Sequence, residues 1–228
     1  EAKDALVLDG VTLADIFLGK VTSWSDARIA ALNPTLSLPK TPILVAHRSD
    51  GSGTTAIFVD YLAKVSAEWK AGVGTGTAVK WPAGLGGKGN EGVTGLVKQT
   101  PGAIGYVELV YAKQNQLSIA KMKNAAGKAI LPSPKTVTAA AAGAFSSIPA
   151  DFRVSITNAS GADSYPIAGF TYLLIHGKMP QATGSKIVQL LNWALTQGQA
   201  QASALDYAPL PKALAQKVLT SLKGIQLQ

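Results

Sequence analysis

The sequence predicts an α/β fold whose strands are mainly parallel. Two short apolar runs, at residues 43–46 and 103–107, have the length of buried strands and are bordered by proline or glycine. Helical patterns follow both runs, the longest of them between Thr54 and Trp69. Alternating strands and helices build parallel sheets, and the ligands of such sheets usually lie at the carboxyl ends of the strands. The loops that follow the strands are therefore the first candidates for a functional site.

Composition places the chain among ordinary folded proteins. Apolar residues make up 47% and charged residues 15%, which excludes an intrinsically disordered chain. A length of 228 residues permits one large domain or two smaller lobes. The longest apolar stretches are far shorter than a membrane-spanning helix, so none is predicted. The absence of cysteine excludes disulfides, thiolate nucleophiles and cysteine-based zinc sites.

The net charge of +8 is compatible with nucleic acid, a membrane surface or a small anion as the partner. The 21 lysines and arginines are scattered, without a run of five, and are rarely interleaved with aromatic residues. We therefore expect no nucleic-acid partner. Residues 1–4 lack the basic and apolar regions of a signal peptide, which leaves removal of a leader and absence of one both open.

Two short helices are predicted before the first strand. Thr12 has the pattern of an N-cap for a helix at 12–17, which Gly19 would end. Asp26 precedes a second helix over Ala27–Leu32, and the following Asn-Pro pair stops it because proline disfavours helical backbone in the preceding residue.

Glycine shapes the middle of the chain. The amphipathic helix at 54–69 is followed by nine glycines between residues 72 and 95, which predict a long loop before a helix at 93–98. A short helix over Leu109–Gln114 follows the second strand.

Alternation of helix and strand resumes after a weakly patterned stretch. Residues 124–150 predict an alanine-rich helix in a surface excursion without a site, and residues 170–175 predict a strand. A helix from Ser185 should end at Gly198, and a last helix should start near Pro211. The stripe expected to be buried on the former comprises Ile187, Leu190, Leu191 and Ala194.

The loop after the first strand, RSDGSGT, predicts a site for a phosphate-like oxyanion. A helix N-terminus offers unpaired N–H groups and the positive end of the macrodipole. Gly51 and Gly53 allow close approach of the backbone, Ser52 and Thr54 add hydroxyl donors, and Arg48 adds a planar fork for two charge-assisted hydrogen bonds. A simple helix cap with a surface arginine is the alternative interpretation.

Asp50 is interpreted as the partner that holds the Arg48 guanidinium, because a carboxylate facing an anion would repel it. Other phosphate and nucleophile motifs fail at single residues. No lysine follows Gly53 as a Walker loop requires, Gly89 replaces the hydroxyl residue after Lys88, and no G-x-S-x-G sequence is present. The two histidines, His47 and His176, are interpreted as packed or solvated neighbours, and the four tryptophans, Trp24, Trp69, Trp81 and Trp193, as structural.

The chain closely resembles the PstS-type periplasmic solute-binding proteins, which serve phosphate ABC transporters. Residues 6–20, 48–54, 73–90 and 101–107 carry the resemblance, which extends from Leu6 to about Pro211 and is weakest at 124–160. It implies a two-lobed periplasmic-binding-protein-like α/β fold with mainly parallel sheets. Residues 1–166 would form the second lobe, which carries the loop, and residues 167–228 would return to an incomplete first lobe through a hinge near 165–169.

The resemblance also implies a function. Arg48, Ser52, Gly53 and Thr54 would bind inorganic phosphate, supported by Asp50, and the protein would deliver it to the permease of an ABC importer. No catalysis, cofactor or metal is implied, and the location would be periplasmic or at the cell surface. A phosphate-cradle enzyme, either a phosphatase or a phosphoryl-transferase, and an adhesive or structural protein that reuses the fold are the alternatives.

One departure from the family is large. In the family, about a third of the mature protein precedes the segment that matches residue 6 here. That part carries a second helix N-terminus and an aspartate that accepts the proton of hydrogen phosphate, which is how sulfate is rejected. The resemblance thus implies that a further N-terminal segment, or a second chain, completes the site. Arg48 and the residues of its loop would supply only one side of it.

Overall fold

The computed structural model describes residues 5–228. The prediction about a signal peptide concerned residues 1–4, which lie outside the described residues. The strands are β1 (Val7–Leu8), β2 (Leu44–Arg48), β3 (Leu85–Gly87), β4 (Ala103–Gly105), β5 (Lys121–Lys123), β6 (Ala129–Ile130), β7 (Lys178–Met179) and β8 (Gln226–Leu227). The helices are α1 (Gly10–Phe17), α2 (Ala27–Leu32), α3 (Gly53–Val65), α4 (Ala67–Gly72), α5 (Gly89–Gln99), α6 (Leu109–Gln114), α7 (Pro134–Gly143), α8 (Gln181–Leu195), α9 (Gln199–Ala202) and α10 (Lys212–Leu222).

The sheet that positions the predicted loop is parallel. Strand β2 lies between β3 and β4, with Arg48 opposite Gly87 and Ala46 opposite Gly105. Strand β5 pairs with β1 in parallel and with β6 in antiparallel orientation, and β7 pairs with β8 in parallel. The predicted α/β fold with mainly parallel strands is confirmed. The carboxyl ends of β2, β3 and β4 therefore share one edge.

An aromatic cluster fills the core beside this sheet. Phe58 of α3 stacks on Tyr106 at 4.3 Å between ring centroids and meets Phe17 of α1 edge-on at 4.7 Å. Helix α1 approaches α3 closely at Gly10, where a Cβ atom would lie 2.8 Å from the Tyr61 hydroxyl. Contacts between aromatic rings add specific geometry to the free energy of apolar burial. The cluster thus fixes α3, and with it the loop at the start of this helix.

The first helix begins earlier than predicted. Asp9, at φ −105° and ψ 171°, is the N-cap of α1, and its carboxylate accepts the Thr12 N–H at 2.8 Å. The prediction that Thr12 caps this helix is wrong, since Thr12 is already helical and buried. Asp9 matches the preference for capping residues equally well, so the sequence alone did not distinguish the two positions. Gly19 has a φ of +75° and follows the end of the helix, as predicted.

Replacement of Asp9 by alanine should lower the free energy of unfolding by about 1 kcal/mol, because the Thr12 N–H loses its acceptor. Urea unfolding followed by circular dichroism measures this change. Asp9→Asn is the matched control, since its amide oxygen keeps the cap, and it should stay close to the parent stability. Equal losses in both variants would contradict the assignment of the cap.

The helix predicted at 54–69 is two helices. Ser66 has extended backbone, with φ −137° and ψ 113°, and its hydroxyl accepts the Trp69 N–H at 3.2 Å as the N-cap of α4. The indole Nε1 of Trp69 donates to the Gly74 carbonyl at 3.0 Å. The break at Ser66 turns the fully buried Trp69 into the core, while the apolar spacing alone runs through it.

The glycine-rich stretch contains a strand that was not predicted, and α5 starts at Gly89, four residues before the predicted start. Strand β3 has the sequence Leu-Gly-Gly, so it carries no alternation that a sequence pattern could detect. Its glycines serve close packing instead. A Cβ atom on Gly87 would lie 2.5 Å from the carbonyl carbon of Gly92 in α5.

The C-terminal part departs most from prediction. Residues 170–175 are irregular, and Leu174 is 94% exposed. A strand needs a neighbour for its N–H and C=O groups, and none of the described strands pairs with this segment. Helix α8 starts four residues early, at Gln181, and Leu190, predicted on its buried stripe, is 61% exposed. Helix α10 follows Pro211 as predicted, with Leu214 buried.

Helix α7 is the predicted alanine-rich helix, but it is not a surface excursion. Ala140 and Ala141 are buried and pack with Ile156 and Ala168 in a second apolar cluster. Small alanine side chains let α7 approach its neighbours closely. The small size of these side chains therefore did not indicate that the helix is exposed. Among residues 5–228, no helix has both the length and the apolar character needed to cross a membrane.

Candidate functional site

The loop at the carboxyl end of β2 leads directly into the N-terminus of α3. Ser52 is the N-cap, and its hydroxyl oxygen accepts the Thr55 N–H at 3.3 Å. This leaves the hydroxyl proton of Ser52 free to donate. Helical geometry leaves the N–H groups of Gly53 and Thr54, the first two residues of α3, without partners inside the helix. Three donors and the positive end of the helix dipole therefore lie together.

Arg48 is held beside this helix end by Asp50. Its Nε donates to Asp50 Oδ1 at 2.8 Å and its Nη2 to Oδ2 at 2.7 Å, so Asp50 contacts the guanidinium through two hydrogen bonds. The Gly89 N–H also donates to Asp50 Oδ1, at 3.1 Å. The hydrogen bonds from Arg48 hold the pKa of the Asp50 carboxyl well below its usual range, with the Gly89 bond lowering it further. The same pairing raises the pKa of Arg48.

The guanidinium keeps donor capacity in spite of this pairing. Its Nη1 donates to Asn90 Oδ1 at 3.2 Å, so three of its N–H groups are engaged and one N–H on each Nη remains. The Arg48 side chain is 10% exposed. A charged side chain that is this well buried and fixed by two partners is preorganised to grip a ligand.

Tyr106, which follows β4, ties the strand end to the helix. Its hydroxyl accepts the Arg48 N–H at 3.2 Å and lies 2.7 Å from Thr55 Oγ1. Burial raises the pKa of Tyr106, so this hydroxyl stays protonated and can serve as donor and acceptor at once. The backbone of Arg48 and the first turn of α3 are thereby kept at a fixed distance.

Glu108 is a member of the site that the sequence did not indicate. Its Oε1 accepts from Asn90 Nδ2 at 3.2 Å and from Thr54 Oγ1 at 3.5 Å, while its Oε2 accepts from the Tyr207 hydroxyl at 3.4 Å. Glu108 and Asn90 follow β4 and β3, the two neighbours of β2. The rule that parallel strands align their carboxyl ends would have identified both, had the strand order been known.

Some of the histidines and tryptophans that were not predicted to belong to the site pack inside the protein, and the others lie at its surface. His47 stacks on Trp81 at 4.8 Å, and a ring nitrogen lies 3.1 Å from the Arg48 carbonyl oxygen. His176 is exposed. Trp24, Trp69 and Trp81 pack in or against the core, as predicted. Trp193 is 49% exposed, so unlike the other three tryptophans it does not pack in the core.

The arrangement is suited to bind an anion at the edge of an open cleft of about 1810 Å³, which Arg48, Ser52, Gly53 and Thr54 help to line. The free donors are two N–H groups of a helix end, a serine hydroxyl and the remaining guanidinium N–H groups. No cluster of three His, Asp or Glu side chains within residues 5–228 could hold a metal ion. The structure thus brings together every residue predicted for the site, together with Asp50.

Comparison with known proteins assigns the fold to a family. A model of the PBP superfamily domain matches residues 2–197. A relative named phosphate-binding protein PstS, from Xylella fastidiosa strain 9a5c, is 49% identical over 93% of this chain and 59% of its own length. The protein of the same name from Pasteurella multocida is 46% identical over 96% of this chain and 64% of its own length. The chain thus spans about three-fifths of the length of these relatives.

Solved structures agree on the fold. A high affinity periplasmic phosphate-binding protein bound with phosphate superposes with a TM-score of 0.69 at 23% identity, covering 98% of this chain and 71% of the other. A phosphate-binding protein from Stenotrophomonas maltophilia superposes with a TM-score of 0.65 at 20% identity, covering 95% and 65%. The parallel sheet, the match over most of the sequence and these superpositions lead to one conclusion: the chain belongs to the PBP superfamily.

Proposed function

We propose that this chain is the greater part of a solute receptor that binds inorganic phosphate and delivers it to an ABC-type importer. The observation that carries the proposal is the paired and nearly buried Arg48 beside the free N-terminus of α3. The names of the relatives support it, since both are phosphate-binding proteins named PstS. A periplasmic or cell-surface location follows from such a role.

In this proposal Arg48, Ser52, Gly53 and Thr54 hold phosphate, and Asp50 positions the guanidinium. A tetrahedral oxyanion accepts hydrogen bonds in several directions at once, which matches donors that come from a helix end, a hydroxyl and an arginine fork. Asp50 accepts three hydrogen bonds from Arg48 and Gly89, and the guanidinium next to it compensates its negative charge. The residues are arranged for reversible binding, and we propose no turnover.

Contacts within the C-terminal part support the proposed division into lobes. Helix α8 packs on α10 and β7 pairs with β8, so residues 178–227 have contacts of their own. We propose that residues 1–166 form the lobe that carries the loop, and that residues 167–228 belong to another lobe, with the hinge near 165–169. A further N-terminal segment, or a second chain, would supply the opposite side of the phosphate, and permease subunits would receive it.

Calorimetric titration of the chain with phosphate tests the proposal. We expect saturable binding of one phosphate, and no release of phosphate from p-nitrophenyl phosphate. Absence of saturable binding at millimolar phosphate would contradict the proposal, and hydrolysis of the ester would favour a phosphatase. A parallel titration with sulfate shows whether the described residues themselves discriminate phosphate from sulfate. The described donors recognise charge and shape, so comparable sulfate binding here would place the discrimination in the proposed additional segment.

A further inference from the structure

We propose that Glu108 is an internal competitor of the bound anion, which holds the site in a ready arrangement when it is empty and sets how readily the anion leaves. This inference rests on the proposed function, since it concerns the same site. It starts from the position of the Glu108 carboxylate, which reaches two of the elements that form the site.

The Glu108 carboxylate occupies donors that an anion would use. Thr54 Oγ1 donates to Glu108 Oε1 at 3.5 Å, so the hydroxyl predicted to bind the ligand points to an exposed carboxylate of the same chain. Asn90 connects the same carboxylate to Arg48, because its Nδ2 donates to Glu108 Oε1 at 3.2 Å and its Oδ1 accepts from Arg48 Nη1 at 3.2 Å. An arriving anion therefore competes with Glu108 directly for Thr54 and indirectly for Arg48.

The charge of Glu108 adds to this competition. The long hydrogen bond from Thr54 places Glu108 next to the position of an anion held at the N-terminus of α3. Unlike Asp50, which two hydrogen bonds tie to the guanidinium, Glu108 contacts Asn90, Thr54 and Tyr207, all of them neutral. Its charge is thus not neutralised by a cation in these contacts, and it repels a second negative charge placed beside it.

Tyr207 positions this competitor. Its hydroxyl donates to Glu108 Oε2 at 3.4 Å, which leaves Oε1 directed to Thr54 and Asn90. The negative charge of Glu108 raises the pKa of Tyr207, so the phenol stays protonated and keeps donating. Asp206, the preceding residue, has left-handed backbone with φ +60° and forms an ion pair with Lys113 of α6. This ion pair anchors the segment that carries Tyr207 to α6, the helix that Glu108 precedes.

Glu108→Gln is the decisive variant, because the amide keeps the size of the side chain and removes its charge. We expect phosphate to bind about 10-fold more tightly than to the parent chain, mainly through slower dissociation, as measured by calorimetry and stopped-flow displacement. Tyr207→Phe should change affinity in the same direction and by less. Glu68→Gln is the matched control, since this carboxylate pairs with Lys20 on the exposed surface and should leave affinity unchanged.

The dependence on salt separates a charge effect from a structural one. The gain in Glu108→Gln should shrink as ionic strength rises, while a merely structural change in the loop would persist. Phosphate binding by the parent chain combined with equal or weaker binding by Glu108→Gln overturns this inference and leaves the proposed function intact. Absence of phosphate binding in both proteins overturns the proposed function and this inference together.

Discussion

Replacement of Arg48 by alanine is expected to weaken phosphate binding by about 10²- to 10⁴-fold. Two hydrogen bonds from a charged donor contribute roughly 3–6 kcal/mol together, and every 1.4 kcal/mol corresponds to a factor of ten in the dissociation constant. The loss has a second cause. The variant leaves Asp50 without the guanidinium that now takes up its charge, so a carboxylate faces the incoming anion. Calorimetric titration with phosphate measures the effect.

Arg28→Ala is the matched control for this variant. Arg28 also forms ion pairs with aspartates, Asp15 and Asp26, but it lies in α2, away from the loop. The Arg28→Ala variant should bind phosphate with the affinity of the parent chain. Arg48→Lys should fall between the two, because the charge remains and the planar fork is lost. Affinity of Arg48→Ala within a factor of three of the parent would show that the loop only caps a helix.

Replacement of Trp69 by alanine is expected to lower the free energy of unfolding by about 3–5 kcal/mol. Trp69 is fully buried, packs against the core cluster and donates its indole N–H to the Gly74 carbonyl at 3.0 Å. The variant loses apolar burial, leaves a cavity and removes the partner of a carbonyl oxygen. Such a loss is a large part of the stability of a typical domain, so the urea midpoint should fall clearly.

Trp193→Ala is the comparison that isolates burial. Trp193 is the same residue type in a helix, but it is 49% exposed and therefore loses less apolar contact with the protein. The free energy of unfolding of the Trp193→Ala variant should be lower than that of the parent chain by no more than about 1 kcal/mol. Losses of similar size in the two variants would contradict the placement of Trp69 in the core.

Local signals in the sequence were sufficient to predict much of the fold. The helices Ala27–Leu32 and Leu109–Gln114 have the predicted bounds, because their limits depend on adjacent residues such as Asp26 and Asn33. The oxyanion loop has the same character, since strand, glycine loop and helix are consecutive. Its donors and the Arg48–Asp50 pair lie within seven residues, so their arrangement depends little on the rest of the chain.

Errors arose where a structure depends on a distant partner. Residues 170–175 have the apolar content of a strand, yet content alone does not form one without a neighbouring strand to complete the hydrogen bonds. Strand β3 was missed for the opposite reason. Its two glycines show no alternation of apolar and polar residues, yet pairing with β2 makes the segment a strand. Leu190 was placed on a buried face by its spacing, although only packing decides which face of a helix is covered.

The sequence by itself determined the chemistry of this protein, and the tertiary structure decided its surroundings. Arg48, Asp50, Ser52, Gly53 and Thr54 are contiguous, and a helix N-terminus presents its donors wherever such a loop folds. Asn90, Glu108 and Tyr207 are distant from the loop along the chain and meet it only through the strand order β3-β2-β4 and the course of the C-terminal segment. Local hydrogen bonding fixes the first group, while sheet pairing and packing between distant segments fix the second.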